Sequence, residues 1–430
     1  MHLPSKLSRC ASVAAFVVAV ASNAAPARAY SVLAHEANVD ALWDSTIQPL
    51  LHQKFPSATP EALRAARAYA YGGAVIQDLG YYPFGSHFFS NLLHYARSGD
   101  FIEQLIADAR DVDELAFALG ALGHYAADNN GHPLAVNRAV AIMYPKLQAK
   151  YGDRVTYVES PKSHVLVEFS FDVVQVAAGA YAADAYHDFV GFKVATPLLE
   201  RAFQQVYGLD LKELFLDEDL AIGTYRYAVS RAIPDITKAA ARQKRDDIAA
   251  ATPVVARHVA VFGMSRVEYE REFGSKYRKP GVFARVLVFL YRLLPKVGPF
   301  KFLGFKPPTP ETERLFVDSF RQTRERYRAS LEAVRAGRLN LANTNFDTGR
   351  PIARGEYTLA DETYEKLLDA LAKQKFAGAS PALMRSIDRY FASLDTDAPE
   401  LAHDRKAHRR ALRVAGRLAA LRSACGRRCE

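Results

Sequence analysis

From about Tyr30 to Ala239, apolar residues recur at intervals of three and four, as in "ALWDSTIQPLL", "DVDELAFALGALGHYAADN" and "SHVLVEFSFDVVQVAAGAYAADAY". That period places them on one face of an α-helix. Alternation at every second residue, the mark of a half-buried strand, is scarce. Breaks fall at "FPSATPE", "YGGAVIQDLGYYPFGS", "NGHP" and "ESPKS", where Gly, Pro, Ser and Asn cluster. The pattern predicts an all-α fold, a multi-helix bundle with irregular inserts over residues 30–239.

A second helical region, residues 240–430, opens on a charged helix and continues into "KPGVFARVLVFLYRLLPKVGPFKFLGFKPPTP" (279–310). This stretch is apolar, aromatic and basic at once, with Arg285, Arg292, Lys296, Lys301 and Lys306 set among Phe283, Phe289, Tyr291, Phe300, Phe302 and Phe305. Two readings fit it: a segment lying in a lipid interface, or an internal helix that packs the two regions together. Further helical patterns follow in "TERLFVDSFRQTRERYRASLEAVRAG", "LADETYEKLLDALAKQ" and "PALMRSIDRYFASL". No internal repeat or low-complexity tract breaks them.

Half of the 430 residues are hydrophobic, enough for at least one large core. Residues 1–29 run from Lys6 and Arg9 through the apolar "VAAFVVAVA" to the small-residue end "ARA". This is the pattern of a secretory signal peptide, with cleavage expected after Ala29 and a secreted or periplasmic destination. The segment carries three cations and no acid, so its loss takes the net charge from +9 to +6. Much of that excess lies in the tail, where Arg405, Lys406, Arg409, Arg410, Arg413, Arg417 and Arg422 punctuate Ala and Leu, as on a solvated terminal helix. Only Cys425 and Cys429 remain after processing, four apart, a spacing that strains a disulfide within a helix. A cysteine-based zinc module is therefore excluded, and any metal falls to histidine and carboxylate. No G-x-S-x-G nucleophile motif is present.

The stretch "LGHYAADNNGHP" sets His124, Asp128 and His132 at equal four-residue spacing before Pro133. On a helix His124 and Asp128 share a face, as two ligands of one metal would. Pro133 is expected to end the helix near Gly131 and His132, freeing His132 from that face. A second pair, His164 and Glu168, sits four apart in "SPKSHVLVEFSFD", with Ser160 and Pro161 reading as N-cap and first turn. Earlier, "AVIQDLGYYPFGSHFFSNLLHY" offers Asp78, His87 and His94, and "YSVLAHE" offers His35 beside the Tyr30 amine that cleavage would free. Neutral imidazole and carboxylate in this density suit zinc.

These residues resemble the bacterial zinc-dependent phospholipase C family, related in fold to the single-strand-specific zinc nucleases of fungi and plants. The likeness covers about residues 30 to 180. That family is all-helical and holds three zinc ions through its processed amino terminus, five histidines, two aspartates and a glutamate. The resemblance implies Tyr30 in the place of a terminal tryptophan, His35 as the early histidine, and Asp78 with a histidine of the following loop. Flanking "SHFF" favours His87 there, with His94 competing for the position. "HYAAD" matches through His124 and Asp128, and "HVLVE" through His164 and Glu168. His132 follows Asp128 by four residues where the family's spacing is six. Phe84 is the counterpart of an aromatic headgroup contact, whereas Leu33 and Leu79 stand where polar partners would be expected.

The implied activity is that of an exported phospholipase C with two to three zinc ions, acting at a phospholipid membrane surface. Water would attack phosphorus, with Asp78 as base or orienting ligand and Asp128 bridging two metals. A nuclease or nucleotidase on the same site is the alternative, although the "YSVLAH" start lacks the Trp-Gly pair of the nucleases and makes nucleic acid an unlikely partner. A non-enzymatic helical envelope protein would bind no metal. No protein partner is implied.

Overall fold

Two of the breaks read in the sequence end in helix caps, Thr59 and Ser86. The computed structural model describes residues 31–177, 181, 192–244, 246–248, 304–399 and 404–426. Helix α1 (Val32–Leu42) runs through a π-helical turn (Trp43–Ile47) into α2 (Gln48–Lys54). Thr59 caps α3 (Pro60–Ala74) by accepting from Ala62 N at 3.2 Å, with Pro60 at the first position, where a missing N–H costs nothing. A 3₁₀ turn (Ile76–Tyr81) leads to α4 (His87–Tyr95), α5 (Ser98–Asp108) and the long α6 (Val112–Gly131). Asp111 caps α6 at Glu114 N (2.8 Å), while the Glu114 carboxylate receives Arg110 N (2.9 Å).

Beyond α6 come α7 (Asn137–Met143), α8 (Pro145–Tyr151), α9 (Pro161–Ala177), α10 (Thr196–Tyr207), α11 (Glu218–Tyr227) and α12 (Ile233–Gln243). Then follow α13 (Pro310–Arg335), α14 (Thr358–Lys373), α15 (Pro381–Tyr390) and α16 (Arg405–Cys425). The strands among the described residues are two short ones, β1 (Thr344–Asn345) and β2 (Arg350–Pro351), paired antiparallel with Thr344 opposite Pro351. The fold is all-α, as the hydrophobic period predicts.

Helix α6 is the axis of the bundle, buried almost all round from Leu115 to Asp128 rather than along one stripe. On one side it meets α3 backbone to backbone. A Cβ on Gly73 would lie 1.9 Å from the Phe117 carbonyl oxygen, and one on Gly120 2.0 Å from that of Ala70. Only glycine permits so close a crossing. On the other side lies α13, whose buried Tyr327 donates its hydroxyl to the Leu119 carbonyl at 2.8 Å and covers Gly123 with its ring.

The apolar core therefore runs without a break across residue 240, from Val32 to Leu421. Residues 279–303 of the aromatic basic segment lie outside the described residues. Its end packs inward: Phe305 is buried edge-on against Phe169, and Lys306 Nζ lies 4.8 Å over the Tyr144 ring. The basic tail is a docked amphipathic helix, with Ala411, Val414, Leu418 and Leu421 buried and Arg410, Arg417 and Arg422 paired to Glu365, Asp369 and Asp388. Cys425, its last residue, is disulfide-bonded, and the helix stops there as Gly426 turns to a positive φ of 34°. No described helix is long and apolar enough to cross a membrane.

Candidate metal centre

Six elements carry buried donors to one place beside α6. His35 comes from α1, Asp78 from the 3₁₀ turn, His94 from α4, His124 and Asp128 from α6 itself, His132 from the turn after it, and His164 with Glu168 from α9. None of these residues is more than 2 % exposed.

Asp128 is the hub. Its Oδ1 lies 3.5 Å from His35 Nε2, and its Oδ2 lies 3.1 Å from His124 Nε2, 3.5 Å from His94 Nε2 and 3.9 Å from His132 Nε2. Asp78 Oδ1 approaches His94 Nε2 at 3.6 Å. Further along, His132 Nδ1 meets His164 Nε2 at 2.8 Å, and Glu168 Oε1 lies 3.4 Å from the same His164 nitrogen. The donors fall into three groups, each with its ligand atoms within 4.8 Å of one another: His35, His124 and Asp128; Asp78, His94 and His124; and His132, His164 and a residue from far along the chain, Asp347.

The backbone fixes which nitrogen of each ring faces inward. His94 Nδ1 donates to the Ser90 carbonyl at 2.8 Å and His124 Nδ1 to the Ala74 carbonyl at 2.9 Å. A carbonyl can only accept, so the proton resides on Nδ1 and the Nε2 lone pair is aimed into the cluster. Those two Nε2 atoms and both Asp128 oxygens make no hydrogen bond of good geometry. Buried polar atoms left in this state are costly, and a cation among them would satisfy all of them together. The donor set, imidazole nitrogen with carboxylate oxygen, is that of zinc.

The electrostatics agree. Burial pushes the pKa of Asp128 up, but His124, His94 and His35 outweigh it and hold the carboxylate well below its ordinary value. Burial takes His132 down to about 4 and His164 to about 3, so both rings are neutral and ready to ligate at physiological pH. Burial also opposes the charged form of His124, but Asp128, Asp78 and the Ala74 carbonyl raise it overall.

One expectation needs correction. His87 does not enter the cluster. Ser86 caps α4 and makes His87 its first residue, so the ring stands exposed, edge-on to Tyr81 with centroids 5.5 Å apart. His94, two turns later, lies on the buried face and is the histidine of α4 that faces Asp78. The α-helix ends at Gly131, as Pro133 predicts, but the chain does not uncoil there. The chain stays helical there (φ −59°, ψ −61°) and widens into a π-helical turn, His132–Val136, because Pro133 has no N–H for the regular ladder. The wider turn still moves His132 off the strict face of His124 and Asp128, setting it between Asp128 and His164.

Phe84 is on the surface, 47 % exposed, in a left-handed backbone conformation (φ 66°). Leu33 and Leu79 are fully buried. Tyr30 lies outside the described residues.

Asp347 was not foreseen. It sits in the turn between β1 and β2, 183 residues after His164, with Oδ1 3.3 Å from His132 Nδ1 and 3.7 Å from His164 Nε2. Its neighbour Phe346 packs its ring against those of His94 and His124, centroids 5.1 and 6.1 Å away. The only local signal is turn chemistry, the Asn345 to Gly349 run, which predicts a tight turn but nothing about where it docks.

Comparison with curated proteins and with solved structures gave no match. The donors from Asp78 to Glu168, drawn together around Asp128, all fall within the stretch that a family description does cover: residues 37–216 match the model of the zinc dependent phospholipase C family.

Proposed function

We propose that this protein is an exported phospholipase C that cleaves phospholipid to diacylglycerol and a phosphorylated headgroup at a membrane surface, using two to three zinc ions. The observation that carries the reading is the environment of Asp128: a buried carboxylate whose two oxygens accept no hydrogen bond of good geometry, met from both sides by imidazole nitrogens that point at it. His94, His124, Asp78 and Asp128 would hold one ion, His35 and Asp128 a second, and His132, His164 and Glu168 a third. Bound zinc supplies Lewis acidity toward phosphate oxygens and lowers the pKa of water to near neutrality.

The protein's own groups do the rest. Asp78, buried beside His94, orients the attacking water or takes its proton. Oxygen of that water bonds to phosphorus as the bond from phosphorus to the glycerol oxygen breaks, and the leaving diacylglycerol takes up a proton. Asp128, with one oxygen toward His35 and the other toward His94 and His124, would be shared between two ions. The signal-like residues 1–29 support export.

The test is turnover of phospholipid in mixed micelles, followed by release of phosphorylated headgroup, alongside a single-stranded DNA substrate. Zinc-dependent release of headgroup is expected, and Asp78→Asn should lower it by about 10²–10⁴-fold. Hydrolysis of DNA alone would replace the lipid reading with a nuclease. Full activity of Asp78→Asn would remove Asp78 from its role.

A further inference from the structure

We propose that Asp347 is a direct metal ligand with His132 and His164, so that a hairpin outside the family-matched region completes the metal centre. This rests on the metal-centre part of the reading above, not on its choice of substrate.

The two carboxylate oxygens of Asp347 have different fates. Oδ2 is fully engaged, accepting from Tyr157 N at 2.9 Å and from the Tyr357 hydroxyl at 2.7 Å. Oδ1 is buried, accepts no hydrogen bond, and faces the nitrogens of His132 and His164. A carboxylate held by one oxygen and offering the other is how a ligand is oriented from behind.

The contacts of Asp347 Oδ1 have the right spacing as well. Donors about 2.0–2.2 Å from a tetrahedral zinc stand roughly 3.3–3.6 Å from each other. His132 Nδ1 to Asp347 Oδ1 is 3.3 Å, His164 Nε2 to Asp347 Oδ1 is 3.7 Å, and His164 Nε2 to Glu168 Oε1 is 3.4 Å. His132 Nδ1, His164 Nε2 and Asp347 Oδ1 thus lie within 4.8 Å of one another, the two imidazole nitrogens 2.8 Å apart, and Glu168 adjoins His164.

The hairpin is built to stay there. Asn345 Oδ1 accepts from Asp347 N (2.9 Å), Asn137 Nδ2 donates to Asp347 O (2.8 Å), and Ser98 Oγ donates to Thr344 O (2.7 Å). Gly349, at φ 67°, lies directly on the π-helical turn: a Cβ there would come within 2.8 Å of Asn129 O and 3.1 Å of Pro133 Cγ. The turn that displaces His132 and the turn that delivers Asp347 are packed against each other. Such fixing is what distinguishes a ligand from a passing surface acid.

The experiment measures zinc per chain by elemental mass spectrometry in the signal-cleaved full chain, as wild type and as Asp347→Asn, with chelator competition for affinity. Asp347→Asn should lose one zinc equivalent, or bind it at least about 100-fold more weakly, since partners that merely orient a ligand are already worth 10–100-fold. Circular dichroism should be unchanged. Should Asp347→Asn fail to fold, Asp347→Cys loaded with cobalt(II) gives a second readout. A thiolate bonded to cobalt adds a charge-transfer band absent from the wild type, which a residue beyond bonding distance does not produce. Equal zinc count and affinity in Asp347→Asn, or cobalt bound to Asp347→Cys without that band, overturns the proposal while leaving the rest of the centre standing. A metal-free wild type would overturn the centre as a whole.

Discussion

The imidazoles of His35 and His124 lie stacked, centroids 4.3 Å apart and 9° from parallel, each with a nitrogen turned toward Asp128. One contact thus serves two ends, packing α1 against α6 and presenting two donors. His35→Phe separates them. The aromatic stack is retained while the donor is lost, so bound zinc should fall by one per chain. The urea midpoint of the metal-free form should move by less than the equivalent of about 1.5 kcal/mol. Elemental analysis and denaturant titration of the same preparation check both halves.

His94 and His87 should behave oppositely on truncation. His94→Ala removes a buried donor that faces both Asp78 and Asp128 and should strip metal and activity together. His87→Ala removes an exposed ring at a helix start and should leave zinc content unchanged and stability within about 0.5 kcal/mol. Loss of zinc in His87→Ala would reverse the assignment.

Stability of the metal-free form should pass through a maximum near neutral pH. Because burial holds His132 at about 4 and His164 at about 3 against an ordinary 6.5, the unfolded chain takes up protons below pH 6.5 that the folded chain refuses until far lower. Stability from these two rings is present above pH 6.5 and is lost as pH falls through about 4. His124, whose pKa is raised, contributes in the other sense: full below 6.5, fading as pH rises through its folded value. Asp128, held low, loses its contribution only in stronger acid. Thermal melts of chelator-treated protein from pH 4 to 8 should trace the dome, and a midpoint rising steadily toward pH 4 would contradict it.

Gly73→Ala should be among the most damaging conservative changes in the chain. The added methyl meets a main-chain carbonyl, 1.9 Å from Phe117 O, which cannot swing away as a side chain can. A loss of about 1–3 kcal/mol or more is expected in urea melts. Displacement of α6 would also disturb Asp128, so zinc affinity should drop with it.

The sequence was legible where chemistry is local. Helical period, the start of α9 at Pro161, and the four-residue pairs His124 with Asp128 and His164 with Glu168 all depend on contacts within one or two turns. Choosing between His87 and His94 required knowing where α4 begins. Seven residues apart, the two histidines share a helix face, so position along the helix decides which is buried, and motif flanks point to the wrong one. The π-helical turn at His132 was half legible: proline announced a disruption, not its form. Asp347 was out of reach, because its position depends on a chain closure over 183 residues and on Gly349 fitting against Asn129.

None of the described donors around Asp128 is more than 2 % exposed, and that burial governs rates as much as affinities. An ion seated there cannot be reached by a chelator in solution, so it departs only when the bundle opens locally. Stripping should then proceed at a rate that no longer rises with chelator concentration, set by the protein's own breathing. The same opening would have to admit the proposed phosphodiester substrate. One slow motion would therefore time both the loss of metal and the entry of substrate.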